Sequence, residues 1–274
     1  MINGIKNANR QSNIGTGLSG IGNFNNFKKI VKGIESNKTF TLLSEAIQTK
    51  KFLSNYVLTS QSDFDFARLM PHLESVSLSG GERLQSSGER SRYVYFPETA
   101  VISNLYTLAD GNTIEVAMIG REGASELCGA FGMQMSAHWA QVAVGGTALR
   151  IKAETLSQQF AFGGQIQASL LNYINSLITQ ISQRVACKSF HVIEKRFCSW
   201  LLMLHDRVGQ DYLAMTQEQI SLYLGVHRPS VTLVAQALRD KGLIDYSRGK
   251  VRILDRQGLE SSACECYSTI QESL

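Results

Sequence analysis

The feature that most constrains the fold is a stretch of twenty residues near the C-terminus, residues 217–236. Its apolar side chains recur at intervals of three and four, which predicts two short helices. Gly225 stands between them, and a glycine there takes the positive φ that ends one helix and lets the next begin at a steep angle. Thr216 is a good N-cap for the first helix, and Pro229 fits the first turn of the second. The stretch therefore predicts a helix-turn-helix.

The residues after this stretch favour a winged form of the motif. Residues 237–241 complete the second helix, Gly242 ends it, and residues 243–253 have the alternating pattern and the glycine turn of a β-hairpin. An ordinary helical hairpin would need the same apolar spacing. The basic hairpin directly behind the second helix favours instead a motif whose second helix enters the major groove of DNA.

Length and charge indicate a two-domain chain with localised basic regions. The chain has 274 residues, of which 43% are hydrophobic, and a net charge of +4. Residues 1–52 hold eight Lys or Arg against two acidic residues, and residues 190–256 hold ten against seven. A protein that binds double-stranded DNA needs such a local basic face more than a high overall pI.

The chain is expected to be cytoplasmic and to have no membrane partner. Its sequence contains no apolar run of signal-peptide or transmembrane length. It has five cysteines, and this odd number fits a reducing compartment better than a set of disulfides.

The middle of the chain predicts an antiparallel β-roll. Short strands alternate with turn signals at intervals of roughly ten residues, and Asp110-Gly111 is a strong hairpin signal. The predicted strands are Glu74–Leu78, Glu82–Gln85, Tyr93–Phe96, Ala100–Thr107, Thr113–Met118 and Ala140–Ile151.

A long helix is predicted over residues 165–189, and its apolar stripe must be buried. Either the roll or the same helix of a second chain could cover it. No charge occurs between Glu154 and Arg184, and charged residues are depleted at interface cores, so we favour a coiled-coil-like homodimer seam. The predicted dimer interface consists of Ile166, Leu170, Ile174, Leu177, Ile181 and Val185.

Together these features predict an α+β fold. Residues 1–26 have few apolar side chains and are expected to be flexible; the lysines beyond them suit a solvated tail or non-specific phosphate contact. The predicted segments are a flexible basic extension (1–52), a β-roll sensor domain (53–152), a short helix and a long dimerisation helix (153–189), a winged helix-turn-helix domain (190–256) and a C-terminal tail (257–274).

This order of elements resembles the Crp/Fnr family of bacterial transcription regulators. The resemblance covers roughly residues 55–256 and is most specific in residues 216–243, 94–98 and 110–123. It implies a cupin-like, cyclic-nucleotide-binding-like roll that senses an effector, a homodimer, a near-palindromic operator and contact with RNA polymerase. Whether such a regulator activates or represses depends on where its operator lies.

Two departures from the family pattern concern cofactors. Glu126 could take the ribose-binding role of the cyclic-AMP-binding members, but no Lys or Arg for the phosphate occurs between Arg121 and Arg150. A buried phosphate without a charged partner is strongly disfavoured. The oxygen-sensing members hold an iron–sulfur cluster on N-terminal cysteines, and this chain has no cysteine before Cys128. The expectation is therefore no cofactor, no cyclic nucleotide and no iron–sulfur cluster.

Other sensor candidates carry weaker signals. An apolar effector pocket and simple core packing are both open for Glu126, Cys128, Met133, Met135, His138 and Trp139. Cys264 and Cys266 have soft ligands, but a metal would need two more, such as His205 or Cys198. Free surface thiols without a role are the expectation for this pair, with buried packing for Cys187 and Cys198 and no metal site.

The second helix of the motif presents a defined outward face. Arg228 can pair with guanine and Gln236 with adenine, whereas Leu233 offers only apolar contact, such as that with a thymine methyl. Val231, Val234 and Ala235 are expected to face inward. The predicted base contacts are His227, Arg228, Pro229, Thr232, Leu233 and Gln236, and the predicted phosphate contacts are Thr216, Gln217, Ser230, Arg248 and Lys250.

The sequence does not favour an enzyme. It lacks a nucleophile elbow, a phosphate-binding loop and zinc-protease spacing. The alternative to a DNA-binding regulator is a ligand- or redox-sensing regulatory protein whose helix-turn-helix mediates protein contacts. The basic wing and the outward Arg228 favour DNA.

Overall fold

The computed structural model describes residues 36–131 and 135–274. By contacts the chain divides into two units, residues 1–42 and residues 43–274. The predicted flexible stretch 1–26 lies outside the described residues. The fold below is that of the second unit.

Within the described residues, three helices precede the roll. They are α1 (Ser36–Lys50), α2 (Tyr56–Thr59) and α3 (Asp63–Leu69), and a 3₁₀ turn follows at Met70–His72. The side chains of Asn55 and Ser62 cap α2 and α3 by accepting from backbone amides in the first turn. Pro71 lies in the turn that follows α3.

Seven strands form the predicted antiparallel roll. They are β1 (Glu74–Leu78), β2 (Arg83–Gln85), β3 (Tyr93–Pro97), β4 (Val101–Thr107), β5 (Thr113–Ile119), β6 (Trp139–Val144) and β7 (Gly146–Lys152). One sheet has the order β1-β7-β3 and the other β2-β6-β4-β5. The turn at residues 108–112 joins β4 to β5, as the Asp-Gly signal predicts, with Thr107 opposite Thr113.

The strand predicted over residues 140–151 is two strands that belong to different sheets. The break falls at Gly145 and Gly146. A Cβ on Gly146 would lie 2.6 Å from the backbone nitrogen of Ala100. The chain therefore crosses between the sheets where only a glycine allows such a close approach.

The C-terminal half contains the predicted long helix and the winged motif. Here lie α4 (Ala153–Ala161), α5 (Gln165–Phe190), α6 (Ile193–Val208), β8 (Tyr212–Ala214), α7 (Gln217–Leu224), α8 (Arg228–Asp240), β9 (Ile244–Ser247) and β10 (Lys250–Ile253). The wing hairpin β9–β10 pairs with the additional strand β8 in the order β8-β10-β9. The α+β fold class is confirmed.

The segment predicted as a C-terminal tail, residues 257–274, is largely helical. Its helices are α9 (Arg256–Ser262) and α10 (Cys266–Glu272), and Leu259 and Ile270 are buried at 0% and 1% exposure. Helical periodicity is hard to detect here because the buried side chains are few and include two cysteines.

Two cores lie under α5 and α6. The side chains of α3, β3, α4 and the first half of α5 form one core. The other joins Val101, Leu105 and Met118 of the roll to Trp200 on α6 and to the winged motif. Among the described residues, every helix is too short or too polar to cross a bilayer.

Candidate functional site

The outward face of α8 carries all the residues predicted to contact bases. His227 is the N-cap of the helix, and Arg228 and Pro229 begin its first turn. The six side chains are exposed: His227, Arg228, Pro229, Thr232, Leu233 and Gln236. The opposite face is buried through Val231, Val234, Ala235 and Leu238, as the helical spacing predicts.

Local interactions fix the angle between α7 and α8. The Thr216 hydroxyl accepts from the backbone amide of Gln219, whose side chain accepts in turn from the amide of Thr216, which completes a capping box. Gly225 ends α7 in the left-handed region at φ +63°. The Thr232 hydroxyl donates to the Gln217 side chain at 2.8 Å and joins the two helices.

The wing adds positive charge beside this face. Arg248 lies in the turn at φ +49°, and Lys250 begins the second strand. Both side chains are exposed, as is that of Thr216, whereas Gln217 and Ser230 are half-buried. The predicted phosphate-contact residues therefore border α8, although the Thr216 hydroxyl is already engaged in the capping box.

The long helix α5 has two apolar faces where a single stripe was predicted. Ile166 and Leu170 are each 1% exposed and pack with Tyr173 in the core beneath the roll. Contrary to our preference, these two residues are covered by their own chain, which was the other way to bury the stripe. Further along, Ile174, Leu177 and Ile181 are half-buried and Val185 is 61% exposed.

The second apolar face includes Val185 of the predicted interface together with Leu171 and Ile178, which the sequence analysis did not name. Leu171, Ile178 and Val185 follow one another at intervals of seven and are 51%, 57% and 61% exposed. A seven-residue repeat is the signature of a coiled-coil seam. Half-buried Ile174 and Ile181 flank it. The repeat could have been found in the sequence, but the stronger stripe beside it concealed it.

A buried polar junction connects the roll, α5 and α6. Glu115 on β5 has no exposed surface. Its Oε1 accepts from Arg184 Nη2 at 2.5 Å and from Trp200 Nε1 at 3.0 Å, and its Oε2 accepts from the Ser103 hydroxyl. A carboxylate removed from water is tolerated only with this many donors. The junction therefore links three elements through one side chain.

A second ion pair strengthens the same junction. Arg207 of α6 contacts Glu122 after β5 at 2.7 Å, and both side chains are less than a tenth exposed. Lys188 donates to the Glu115 carbonyl at 2.5 Å, and burial lowers the pKa of its amine to about 7. Sequence analysis singled out none of these residues, because they lie far apart along the chain.

Inside the roll, Glu126 is the centre of a small polar cluster. Its backbone is in the left-handed region at φ +66°. Ser91 and Ser125 donate to its carboxylate at 3.1 and 3.3 Å. Burial raises the pKa of Glu126 from 4.5 to about 7, despite these hydrogen bonds. His138 Nε2 lies 3.8 Å from the carboxylate, and burial lowers the pKa of this imidazole.

The other predicted effector-pocket residues do not converge on this cluster as a set. Met135 is 66% exposed. Trp139 donates to the Thr107 hydroxyl at 2.9 Å. Cys128 lies half-buried in a 3₁₀ turn, where burial raises the pKa of its thiol. Met133 lies outside the described residues.

A separate cavity of about 370 Å³ was not predicted from the sequence. Among the residues that line it are Arg90, Arg92 and Lys152, which are basic.

The expectation that the chain has no metal site or cofactor is wrong, because four side chains are placed where they could bind a metal ion. The ligand atoms of Cys187, His191, Cys264 and Cys266 all lie within 4.8 Å of one another and could hold a metal ion. Cys264 and Cys266 are 5% and 2% exposed, so they are not surface thiols. The two further ligands are Cys187 and His191 rather than His205 or Cys198. Only the folding of α9 against α6 and of α10 against α5 and α6 brings the two pairs together.

The thiols of this cluster are closely coupled. Cys187 Sγ and Cys264 Sγ are 3.5 Å apart. The hydrogen bond between the two thiols lowers the pKa of Cys264 and raises that of Cys187, which favours the thiolate at Cys264.

Comparison with known proteins agrees with this architecture. Residues 195–262 match the family model described as the Crp-like helix-turn-helix domain. No curated protein matches the chain in sequence. Similar solved structures include FixK2 from Bradyrhizobium japonicum, which is 17% identical with a TM-score of 0.60 and covers 70% of this chain and 98% of its own.

Two further structures share the fold. TTHA1359, a Crp/Fnr-family transcriptional regulator from Thermus thermophilus, is 19% identical with a TM-score of 0.58 and covers 69% of this chain and 98% of its own. CLP from Xanthomonas campestris, described as a c-di-GMP responsive global regulator, is 14% identical with a TM-score of 0.56 and covers 70% and 99%. The resemblance to Crp/Fnr regulators is confirmed for the fold and for the helix-turn-helix domain.

Proposed function

We propose that this chain, which has the fold of Crp/Fnr regulators, is a sequence-specific transcription regulator that binds a near-palindromic operator as a homodimer. The observation that carries the proposal is the exposed outer face of α8 on a Crp-like helix-turn-helix domain. The proposed reader of bases is Arg228, which can donate to guanine O6 and N7 together. RNA polymerase is the proposed protein partner, and access to DNA implies a cytoplasmic location.

The proposed contacts with DNA are of two kinds. Some would read base edges, and others would position the protein on the phosphates. His227, Arg228 and Pro229 begin α8 and would reach base edges first, because the N-terminal part of a recognition helix enters the groove. Arg248 and Lys250 on the wing would contact phosphates, whichever bases the site contains. The exposed Leu233 adds apolar surface that suits a thymine methyl.

The second face of α5 supports the homodimer. Leu171, Ile178 and Val185 would form the centre of the seam with the same residues of a second chain, and Ile174 and Ile181 would flank it. A two-fold pair of chains presents two α8 helices, which fits an operator with two half-sites about one helical turn apart.

The buried junction supports control by the roll. Glu115 on β5 contacts Arg184 on α5 and Trp200 on α6. A shift of β5 after effector binding would reach both the dimerisation helix and the domain that carries α8. The Glu126 cluster and the basic cavity at Arg90, Arg92 and Lys152 are the candidate effector sites.

Selection of bound fragments from a random duplex library tests the proposal. The full chain is expected to enrich a two-fold symmetric site, and the enrichment should be repeated with and without cell extract to detect an effector. Failure to enrich any site in either condition, combined with failure to retard genomic fragments in a gel, would show that the motif mediates protein contacts.

The dimer seam has its own test. Leu171→Lys places a charge in the seam and is expected to give a monomer by light scattering and to weaken binding to the selected site. Asn172→Lys is the matched control, because the adjacent side chain is exposed and points away from the seam. A dimer that survives Leu171→Lys unchanged would place the interface elsewhere.

A further inference from the structure

Four potential metal ligands meet where the long helix ends. Cys187 lies in the last turn of α5, and His191 is its C-cap. Cys264 and Cys266 lie between and within the two C-terminal helices. The sequence separation between the two pairs exceeds seventy residues, yet their ligand atoms lie within 4.8 Å of one another.

The distances suit a tetrahedral site after small movements. Cys187 Sγ lies 3.5 Å from Cys264 Sγ, and Cys266 Sγ lies 3.4 Å from His191 Nδ1. In a tetrahedral zinc site with Zn–S near 2.3 Å and Zn–N near 2.0 Å, the ligand atoms are about 3.5–3.8 Å apart. The longest separation here therefore has to shorten by about 1 Å, which side-chain rotations can supply.

The ring nitrogen of His191 that would not bind the metal has a carboxylate partner, as is usual in metal sites. Nε2 lies 3.3 Å from the carboxylate of Glu265, while Nδ1 is directed towards Cys266. Metal-binding histidines almost always donate their other N–H to a carboxylate or carbonyl, which fixes the tautomer. Glu265 stands between the two cysteine ligands in the chain, so one short segment would supply two ligands and the outer partner of a third.

Two more side chains donate to the sulfurs. Gln183 Nε2 donates to Cys266 Sγ at 3.1 Å, and the Ser199 hydroxyl lies 3.1 Å from Cys264 Sγ. The Ser199 oxygen also accepts from the amide of Cys264 at 3.2 Å, which leaves its own hydrogen free for the sulfur. Donors directed at sulfur stabilise thiolates rather than thiols.

Buried cations face the same cluster. A cavity of about 30 Å³ is lined by Arg184, Cys187, Lys188, Arg196 and Cys266, among others. Arg184 Nε and Nη1 and Arg196 Nε are buried without a hydrogen-bond partner. Three thiolates and one neutral imidazole around a divalent ion carry a net charge of −1. Such a centre would offset part of the positive charge beside it.

We propose that Cys187, His191, Cys264 and Cys266 bind one Zn²⁺ ion per chain as a structural Cys₃His site. The ion would join the end of the dimerisation helix to the C-terminal helices that pack beneath the winged domain. Zinc is the ion whose closed structural sites use this ligand set. The site is independent of DNA recognition, so the two proposals can fail separately.

Metal analysis of the full chain tests the site. Protein purified without chelator is expected to contain about one zinc per chain. Removal of zinc and addition of Co²⁺ should give thiolate-to-cobalt charge-transfer absorption and the strong d–d bands of a tetrahedral site. Cys266→Ser and Cys264→Ser should lose the metal, whereas Cys128→Ser in the roll is the matched control and should keep it.

A substitution outside the four ligands separates weakened metal binding from misfolding of the chain. Glu265→Ala leaves all four ligands in place, and its side chain is 71% exposed, so the fold should survive. Loss of an outer-shell partner should weaken binding about 10- to 100-fold, measured by competition with a chromophoric chelator.

Three results would overturn the proposal. The first is reduced, chelator-treated protein that takes up neither Zn²⁺ nor Co²⁺. The second is a Cys128→Ser variant that loses metal as fully as Cys266→Ser does. The third is anaerobically purified protein that carries iron and sulfide on these cysteines, which would mean a redox cluster in place of zinc.

Discussion

The outer face of α8 and the buried region at the end of α5 differ in how their chemistry is assembled. On α8, six neighbouring residues of one helix present their side chains to solvent, and few bonds hold them. At the end of α5, a carboxylate from the roll, an arginine from α5 and a tryptophan from α6 meet without solvent. The four thiol and imidazole ligands lie beside them.

This difference separates recognition from stability. A side chain on the α8 surface can be exchanged at little cost to the fold, because it leaves no buried group without a partner. A side chain in the buried region cannot, because its partner would remain desolvated. Substitutions on α8 should therefore change DNA binding alone, and substitutions at the junction should change folding first.

The largest effect is expected from breaking the buried ion pair. Arg184→Ala leaves Glu115 charged and buried, and should lower the free energy of unfolding by about 3–5 kcal/mol, measured by urea denaturation. Lys241→Ala removes an exposed ion pair with Glu194 and should have little effect. Equal losses in the two variants would mean that the junction is wetter than its burial indicates.

The pH dependence of stability should reveal Glu126. Its pKa is about 7 in the folded chain and ordinarily 4.5, so the folded state binds a proton that the unfolded state releases. The contribution of Glu126 to the free energy of unfolding is therefore constant below pH 4.5 and decreases as the pH rises towards 7. In Glu126→Gln, the loss of stability between pH 5 and pH 8 should be smaller by about 2.5 kcal/mol.

Neighbouring groups also titrate and must be separated from Glu126. Burial lowers the pKa of His138 and raises that of Cys128. Both remain in the variant, so the difference between the two unfolding curves contains the titration of the carboxylate together with its charge interaction with Cys128. Parallel curves for the wild type and Glu126→Gln would mean that this side chain keeps its charge when buried.

A moderate effect confined to DNA is expected on α8. Arg228→Ala should weaken binding to the selected operator by about 1–3 kcal/mol and relax the preference at one base position. Lys250→Ala should weaken specific and random duplexes alike and reduce the salt dependence of binding. Equal losses on both duplexes for Arg228→Ala would contradict its role as a reader of bases.

The smallest effect concerns the turn between α7 and α8. Gly225 and Gly209 both have positive φ, so alanine at either should cost about 1–2 kcal/mol in backbone strain. A Cβ on Gly225 would also lie 2.5 Å from Ile114 Cδ1 of the roll, whereas a Cβ on Gly209 meets nothing within 4 Å. Gly225→Ala should therefore be the less stable variant by thermal unfolding.

The contact with Ile114 can be isolated by a double variant. Ile114→Ala in the Gly225→Ala background should restore the stability that is lost to the clash with Ile114, but not the stability that is lost to backbone strain. Equal thermal stability of Gly225→Ala and Gly209→Ala would mean that a Cβ at residue 225 does not clash with Ile114 in solution.

Local patterns were enough to predict the roll, the long helix and the winged motif. The Asp110-Gly111 turn and the cap at Thr216 depend on neighbours a few residues away, so a short stretch contains all the information they require. The outward face of α8 follows from the period of one helix. The helical C-terminal segment escaped prediction because its stability comes from burying a few side chains against α6 rather than from its own pattern.

The sequence by itself determined the roll, the long helix and the winged motif, and which face of α8 is exposed. Only the tertiary structure decided that Ile166 and Leu170 pack on their own roll, that Glu115 joins three elements, and that Cys187 and His191 meet Cys264 and Cys266. Helix caps and periodic faces depend on separations of three or four residues, which a sequence displays directly. The buried contacts join residues about seventy or more positions apart, and such pairings exist only once the chain has closed those loops.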